Sequence, residues 1–149
     1  MDLLPNELVN IIKDYVIFKP KNKDELQNAV DLWCGNNKKA LNKYGHISIW
    51  DTSLIKDMSK LFKLKKNFND NINNWDVSSV TDMYFMFGYA KSFDQPLNSW
   101  DISSVTNMNL MFLETDRIGY HYQVDLLNSW DISNVEEKLE MFEYQPFYE

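Results

Sequence analysis

The feature that most constrains this chain is its repetition. Residues 75–87, WDVSSVTDMYFMF, recur at 100–112 as WDISSVTNMNLMF, a spacing of 25 residues. A weaker copy, WDTSLIKDMSKLF, occupies 50–62, and a fourth opens at 130–135 with WDISNV and closes at Met141-Phe142. The last copy opens at Trp130, later than the period would place it, so five extra residues fall before it, in the stretch Glu114–Val124. A unit this short cannot bury its own apolar face. Stacked copies can, with like residues lying in columns along one core.

The apolar spacing within a copy suggests its path. The step from Trp75 to Val77 is two, the period of a strand. The steps Val80, Met83, Met86/Phe87 and Ala90 are three or four, the period of a helix face. Ser78 or Ser79 stands where a helix N-cap belongs, and Asp82 falls in the first turn, where the helix dipole favours an acid. Each unit therefore reads as a short strand, a tight corner, a short helix and an Asn-rich return loop. The expected columns are Trp50/Trp75/Trp100/Trp130, Met58/Met83/Met108 and Phe62/Phe87/Phe112/Phe142.

The stretches WDVSSVTDMYFMF and FDQPLNSWDISSVTNMNLMF, with the lead-in DELQNAVDLWCGNNKKALNKYGHISIWDTS, resemble the BspA-like leucine-rich repeat family, a family of unknown function. The resemblance covers about residues 23–149. It implies an α/β fold: a short leucine-rich-repeat-like solenoid of four coils, one to each copy of the motif, each a short strand plus a short helix. It also implies a non-enzymatic role in protein interaction or adhesion. Members occur in bacterial surface proteins, in protists and in the giant DNA viruses that infect protists. The last copy departs from the motif, with Val135-Glu136-Glu137-Lys138-Leu139 in place of Val-Thr-x-Met. Its charges suit a terminal cap facing water.

Residues 1–22 form a separate signal. Leu3, Leu4, Leu8, Ile11, Ile12 and Tyr15 sit at helical spacing, with Pro5 in the first turn and Glu7 after it. LLPNELVNIIKDYV resembles the opening helix of an F-box, here truncated because the chain passes through Lys19-Pro20-Lys21 straight into the repeat block. Leu4, Pro5, Glu7 and Leu8 are the residues such a helix would present to a ubiquitin-ligase adaptor. The other reading is an α-helical cap on the first coil.

Charge narrows the partners. Residues 1–66 hold twelve Lys against eight acids, +4; residues 67–149 hold two Lys and one Arg against fourteen acids, −11; together they give −7. The acidic half argues against a nucleic-acid surface, which needs clustered positive charge. The basic group Lys56, Lys60, Lys63, Lys65 and Lys66 reads as a solvated face. No apolar run reaches the roughly 20 residues that span a bilayer, and Asp2 stands where a secretory signal would carry a basic residue. The expectation is an intracellular protein, in the host cytoplasm if the source is viral, with no membrane partner. Seventeen Asn beside fourteen Lys and one Arg reads as the mark of an AT-rich genome.

Chemistry-bearing motifs are sparse. HExxH, CxxC, GxSxG and Gly-rich phosphate loops do not occur, so the expectation is no enzyme, no cofactor and no metal. Cys34, beside Trp33, reads as a buried inert thiol, since no base can be named for it. Asp51, Asp76, Asp101 and Asp131 follow the four Trp residues and would stack about 5 Å apart. Either each accepts hydrogen bonds from its own turn, as an Asx corner, or the column holds Ca²⁺. The insertion Glu114–Val124 carries the only Arg, Arg117, with Tyr120, His121 and Tyr122. Insertions in repeats map to loops on one face, often the binding face, and Tyr and Arg anchor interfaces. The sequence thus reads as a protein-interaction module working through its repeat surface and this insertion. The alternatives are a substrate-recognition subunit of a ubiquitin ligase and a structural component such as a minor viral particle protein.

Overall fold

A computed structural model describes residues 16–115, 125, 126 and 128–142. Two helices open this part. Helix α1, Lys23–Gly35, begins at Asn22, whose side chain accepts the Glu25 N–H at 3.0 Å, while the Glu25 carboxylate accepts the Lys21 N–H at 2.9 Å. Capping of this kind satisfies amides that a helix start leaves without partners. Leu26, Ala29, Val30 and Trp33 are buried, at spacings of three and four that make one apolar stripe. Asn36 both ends α1 and starts the next helix. Its N–H reaches the Leu32 carbonyl at 2.7 Å, and its side chain accepts the Lys39 N–H at 3.0 Å. Helix α2, Asn37–Tyr44, stops at Gly45, which takes φ +72°, a value that costs glycine little. A 3-10 turn, Ile47–Ile49, leads into the first copy.

The four copies stack, but not as an α/β solenoid. Among the described residues there is no β-strand, and beyond α1 and α2 the only α-helical residues are Asp125, Leu126, Asn128 and Ser129, just ahead of the fourth copy, so the coils of strand plus helix are not formed. In place of sheet pairing there are isolated parallel bridges between the copies: Asp57 to Asp82, Asp82 to Asn107, Asn107 to Glu137, and Phe112 to Phe142. A succession of tight turns replaces the expected strand and helix. Amides close on carbonyls three residues back at Val80 to Val77, Met86 to Met83, Ala90 to Phe87, Phe93 to Ala90 and Trp100 to Leu97. A turn closed over three residues repeats its apolar corner at the same spacing as a helix face, so the sequence period fits both. Backbone conformation decides between them. Lys60, Phe85, Leu110 and Glu140 have φ between +48° and +61°, and Leu64, Tyr89 and Glu114 between +55° and +62°. A right-handed helix cannot pass through such residues.

Neighbouring copies are tied by a parallel ladder of alternate amides. The N–H groups of Met58, Lys60, Phe62 and Leu64 donate to the carbonyls of Asp82, Tyr84, Met86 and Gly88. Those of Met83, Phe85, Phe87 and Tyr89 donate to Asn107, Asn109, Met111 and Leu113. Met108, Leu110 and Phe112 reach Glu137, Leu139 and Met141, across the longer third interval. Indoles tie the copies in the opposite sense. The Trp75, Trp100 and Trp130 Nε1–H groups donate to Ile47, Ile72 and Leu97 carbonyls at 2.8, 3.1 and 3.1 Å.

The side-chain columns are present. Phe62, Phe87, Phe112 and Phe142 stack with centroids 5.4, 5.4 and 5.1 Å apart and planes within 3°. Trp50 stacks on Trp75 at 6.2 Å and Trp100 on Trp130 at 6.5 Å. Met58, Met83 and Met108 are fully buried. Helix α1 seals the first copy: the Trp33 ring meets Trp50 edge-on at 6.0 Å, and the Gln27 side-chain amide donates to the Leu61 carbonyl at 3.0 Å. The helical cap over the first copy is thus built by 23–44. The helix expected over the first residues, with Leu3 to Tyr15, lies outside the described residues. No helix among the described residues is long and apolar enough to cross a membrane.

Candidate interaction surface

Three polar rows run along the stack. The first is the Asp column. Asp51, Asp76, Asp101 and Asp131 each accept the backbone N–H of the Ser two residues on, at 3.0 Å. This is the Asx corner, repeated once per copy. Asp51 also pairs with Lys19 at 2.8 Å, and that bond, followed by those from Ser53, holds its carboxyl down at about 2. Bonds from Ser103 and Ser133 hold Asp101 and Asp131 below the usual carboxylate range. Among the described residues no three His, Cys, Asp or Glu side chains converge as a metal site.

The second row is Asp57, Asp82, Asn107 and Glu137, the bridging residues. The first three cap their own turns: Ser59, Tyr84 and Asn109 amides donate to their side chains at 2.7, 2.7 and 3.0 Å. Burial works against ionisation of Asp57, but bonds from Lys23 and Ser59 outweigh it and lower its pKa. The third row is Asn. The Asn73 amide nitrogen donates to the Ser99 hydroxyl at 3.0 Å while its oxygen accepts the Ser99 N–H at 3.0 Å, and Asn69 accepts the Asp94 N–H at 2.8 Å. These asparagines link copies, a structural use that a compositional reading of their abundance passes over.

Cys34 corrects another expectation, for it is exposed. It borders a concavity of about 420 Å³ between α1 and the first copy, with Trp33, Lys65, Phe68 and Asp70. The polar groups there bond one another: Asp31 with Lys65 at 2.6 Å, and the Trp33 indole with Asp70 at 2.9 Å. Protein around the sulfur still removes enough water to push the thiol up to about 11, a poor nucleophile near neutrality.

The outward face of the turns is different in kind. It carries Ser59, Lys60, Lys63 and Leu64 on the first copy, Tyr84, Phe85, Gly88 and Tyr89 on the second, and Asn109, Leu110, Leu113 and Glu114 on the third. Tyr84 and Tyr89 are half-buried, with Phe85, itself buried, between them at 5.9 and 5.8 Å. Lys60 Nζ lies 5.4 Å from the Tyr84 ring centre and Lys63 Nζ 5.1 Å from that of Phe85. Leu64 is 56% exposed. The expectation of a simply solvated lysine face missed this aromatic partner, whose signal is the Tyr84-Phe85 and Tyr89 positions themselves. Leu4, Pro5, Glu7 and Leu8 lie outside the described residues, as do Arg117, Tyr120, His121 and Tyr122. The insertion that holds the latter four follows Thr115, a buried residue whose hydroxyl donates to the Phe87 carbonyl at 3.0 Å.

Comparison with known proteins adds one finding. A family model described as "Mycoplasma protein of unknown function, DUF285" matches residues 33–148. The chain belongs to this family. The DUF285 span opens at Trp33, inside α1, and takes in all four copies, so the family motif includes part of the helical cap. No curated protein and no solved structure matches the chain.

Proposed function

We propose that this DUF285 protein is a non-enzymatic protein-binding module that works through the outward turn face of its stacked copies. One observation carries the reading. Inward positions repeat their residue type from copy to copy: Trp50/Trp75/Trp100/Trp130, Ile55/Val80/Val105/Val135 and Phe62/Phe87/Phe112/Phe142, buried apart from a partly exposed Phe142. Outward positions do not. The left-handed site holds an exposed Lys60, a buried Phe85, a half-buried Leu110 and an exposed Glu140 in turn, and the next holds Leu64, Tyr89 and Glu114. A scaffold held constant under a surface that varies in size and charge is what selective recognition needs. Half-buried tyrosines at the centre of that face add the amphipathic anchors that interfaces favour.

The same reading assigns Arg117, Tyr120, His121 and Tyr122, in the insertion that follows the third copy in sequence, to the interface as well. Site-specific photo-cross-linking tests it. A cross-linker placed at Tyr89 should capture a defined protein in cells of the source organism, and one at Asp101, on the Asx corner, should not. Equal labelling from both positions, or none from either, would overturn the reading.

A further inference from the structure

We propose that the turn face of the second copy docks an acidic segment of a partner protein, an extended stretch in which carboxylates flank an aliphatic or aromatic side chain. The inference rests on the protein-binding reading above and adds the partner's chemistry.

The apolar part is a fixed ledge: the half-buried Tyr84 and Tyr89 offer its accessible surface, and the buried Phe85, 8% exposed, seats them. Phe85 takes φ +54°, and its ring folds over Gly88 so closely that a Cβ there would lie 2.4 Å from the Phe85 ring. Only glycine leaves that seat open. Tyr84 and Tyr89 flank the ring, Tyr89 edge-on at 84°. Backbone bonds from Phe85 to Asn109 at 2.9 Å and from Tyr89 to Leu113 at 2.8 Å hold the ledge on the stack. A partner side chain meeting it loses little to ordering of this surface.

The charged part is the pair of amines above the ledge. Lys19, Lys23 and Lys65 pair with Asp51, Asp57 and Asp31. Lys60 and Lys63 have no such partner among the described residues; each sits over a ring instead. An ammonium over an aromatic face keeps most of its charge available on its outer side. The two amines therefore border the ledge with uncompensated positive charge. A basic partner is repelled there. A polyanion such as nucleic acid would meet two lysines and then the second half of the chain, with its net charge of −11. A short acidic segment needs only the ledge and the two amines, and so meets less of that field than a long polyanion does.

The test uses the full chain and labelled peptides: one alternating Asp with Leu and Phe, its Asn counterpart, and its Lys counterpart. The acidic peptide should bind at least tenfold more tightly than the neutral one, and the Lys peptide should not bind. Added salt should weaken the acidic peptide's binding. Lys60→Glu with Lys63→Glu, the first exposed and the second partly exposed, should lower it tenfold or more at a nearly unchanged melting temperature. Tyr89→Ser should lower it with no change in the salt dependence. Equal binding of acidic and neutral peptides, undiminished binding by the double Lys variant, or equally tight binding of a poly-thymidine strand would overturn the proposal. Should the acidic peptide fail while the Tyr89 cross-linker still captures a protein, the partner chemistry is wrong and the module reading stands. If both fail, both readings fall.

Discussion

The helical cap and the repeat stack solve the same problem, the backbone amide, in opposite ways. In α1 and α2 the N–H groups past the first turn find carbonyls within their own helix, and Asn22, Asn36 and Gly45 manage the ends. In the stack, alternate N–H groups reach the next copy, as with Met58 to Asp82 and Met83 to Asn107. The two arrangements ask different things of single residues. The cap obeys local propensity. The stack places Lys60, Leu64, Phe85, Tyr89 and Leu110 in the left-handed region, at about 1–2 kcal/mol each, and every one of these five donates a ladder bond to the next copy. The left-handed turn is what aims the amide along the stack. Backbone strain held this way persists only where surrounding structure over-determines it.

Trp75 joins the two regions and gives the largest expected effect. Its ring stacks on Trp50, lies 5.8 Å from Phe62, and its indole donates to Ile47, ahead of the stack. Trp75→Ala should destabilise the protein by about 3–5 kcal/mol, from the lost ring and the cavity it leaves. If cap and stack are one cooperative unit, helical circular dichroism and tryptophan fluorescence should melt together, both well below the parent. Helices that survive the loss of the tryptophan signal would separate the regions and show two cores in place of one.

A pair of glycines sharpens the contrast. Gly88→Ala should cost about 1–3 kcal/mol, because the new methyl takes space held by the Phe85 ring and forces the ring or turn to move. Gly35→Ala, at the end of α1, meets nothing within 4 Å and should be neutral or stabilise by up to about 1 kcal/mol. Equal effects in thermal melts would mean that the aromatic ledge is not seated as described.

What the sequence made legible follows from this contrast. The columns could be read because the residue one repeat further on is a spatial neighbour, and the burial of Met83 and Met108 or the stacking of Phe87 on Phe112 needs only that. The strand and helix within each copy were misread because Val77, Val80, Met83 and Met86 are spaced alike for a helix face and for turns closed over three residues. Nothing local marks Phe85 or Tyr89 as left-handed, since glycine or asparagine is the usual signal. The Asp76-to-Ser78 corner was legible as an Asx motif, because its bonds are within the copy. The Asn73-to-Ser99 link was not, because it needs the neighbouring copy. Of the candidate surface, the lysines were visible in the sequence, but not the rings beneath them.

Two exposed leucines offer a smaller test with opposite signs. Leu64 has φ +62° in the stack, and Leu41 lies in α2, 45% exposed. Leu64→Gly relieves the left-handed strain, gives up little burial, and adds glycine's entropy to the unfolded chain, for a net gain of about 0.5–1 kcal/mol. Leu41→Gly should lose about 1 kcal/mol, the ordinary helix cost. Denaturant midpoints read both. A loss at both positions would show that Leu64 contributes packing that its exposure conceals.

The smallest effect is electrostatic and lies where the two regions meet. Asp51 and Asp57 receive Lys19 and Lys23 from ahead of the stack, at 2.8 Å each, whereas Asp101 and Asp131 are held by serines of their own copy. All four carboxyls sit below their usual range in the folded chain, Asp51 at about 2. The unfolded chain therefore binds more protons between about pH 4 and pH 2, so stability is fully present above about pH 4 and falls as pH drops toward 2. Because these pairs are partly exposed, water and salt screen them, and the Lys19–Asp51 contribution should be about a few tenths of a kcal/mol. Asp51→Asn should flatten part of the decline in melting temperature between about pH 4 and pH 2, and Asp101→Asn should flatten it without the salt dependence that an ion pair brings. If both variants shift the curve with the same salt dependence, Lys19 is not the partner that distinguishes the first corner from the third.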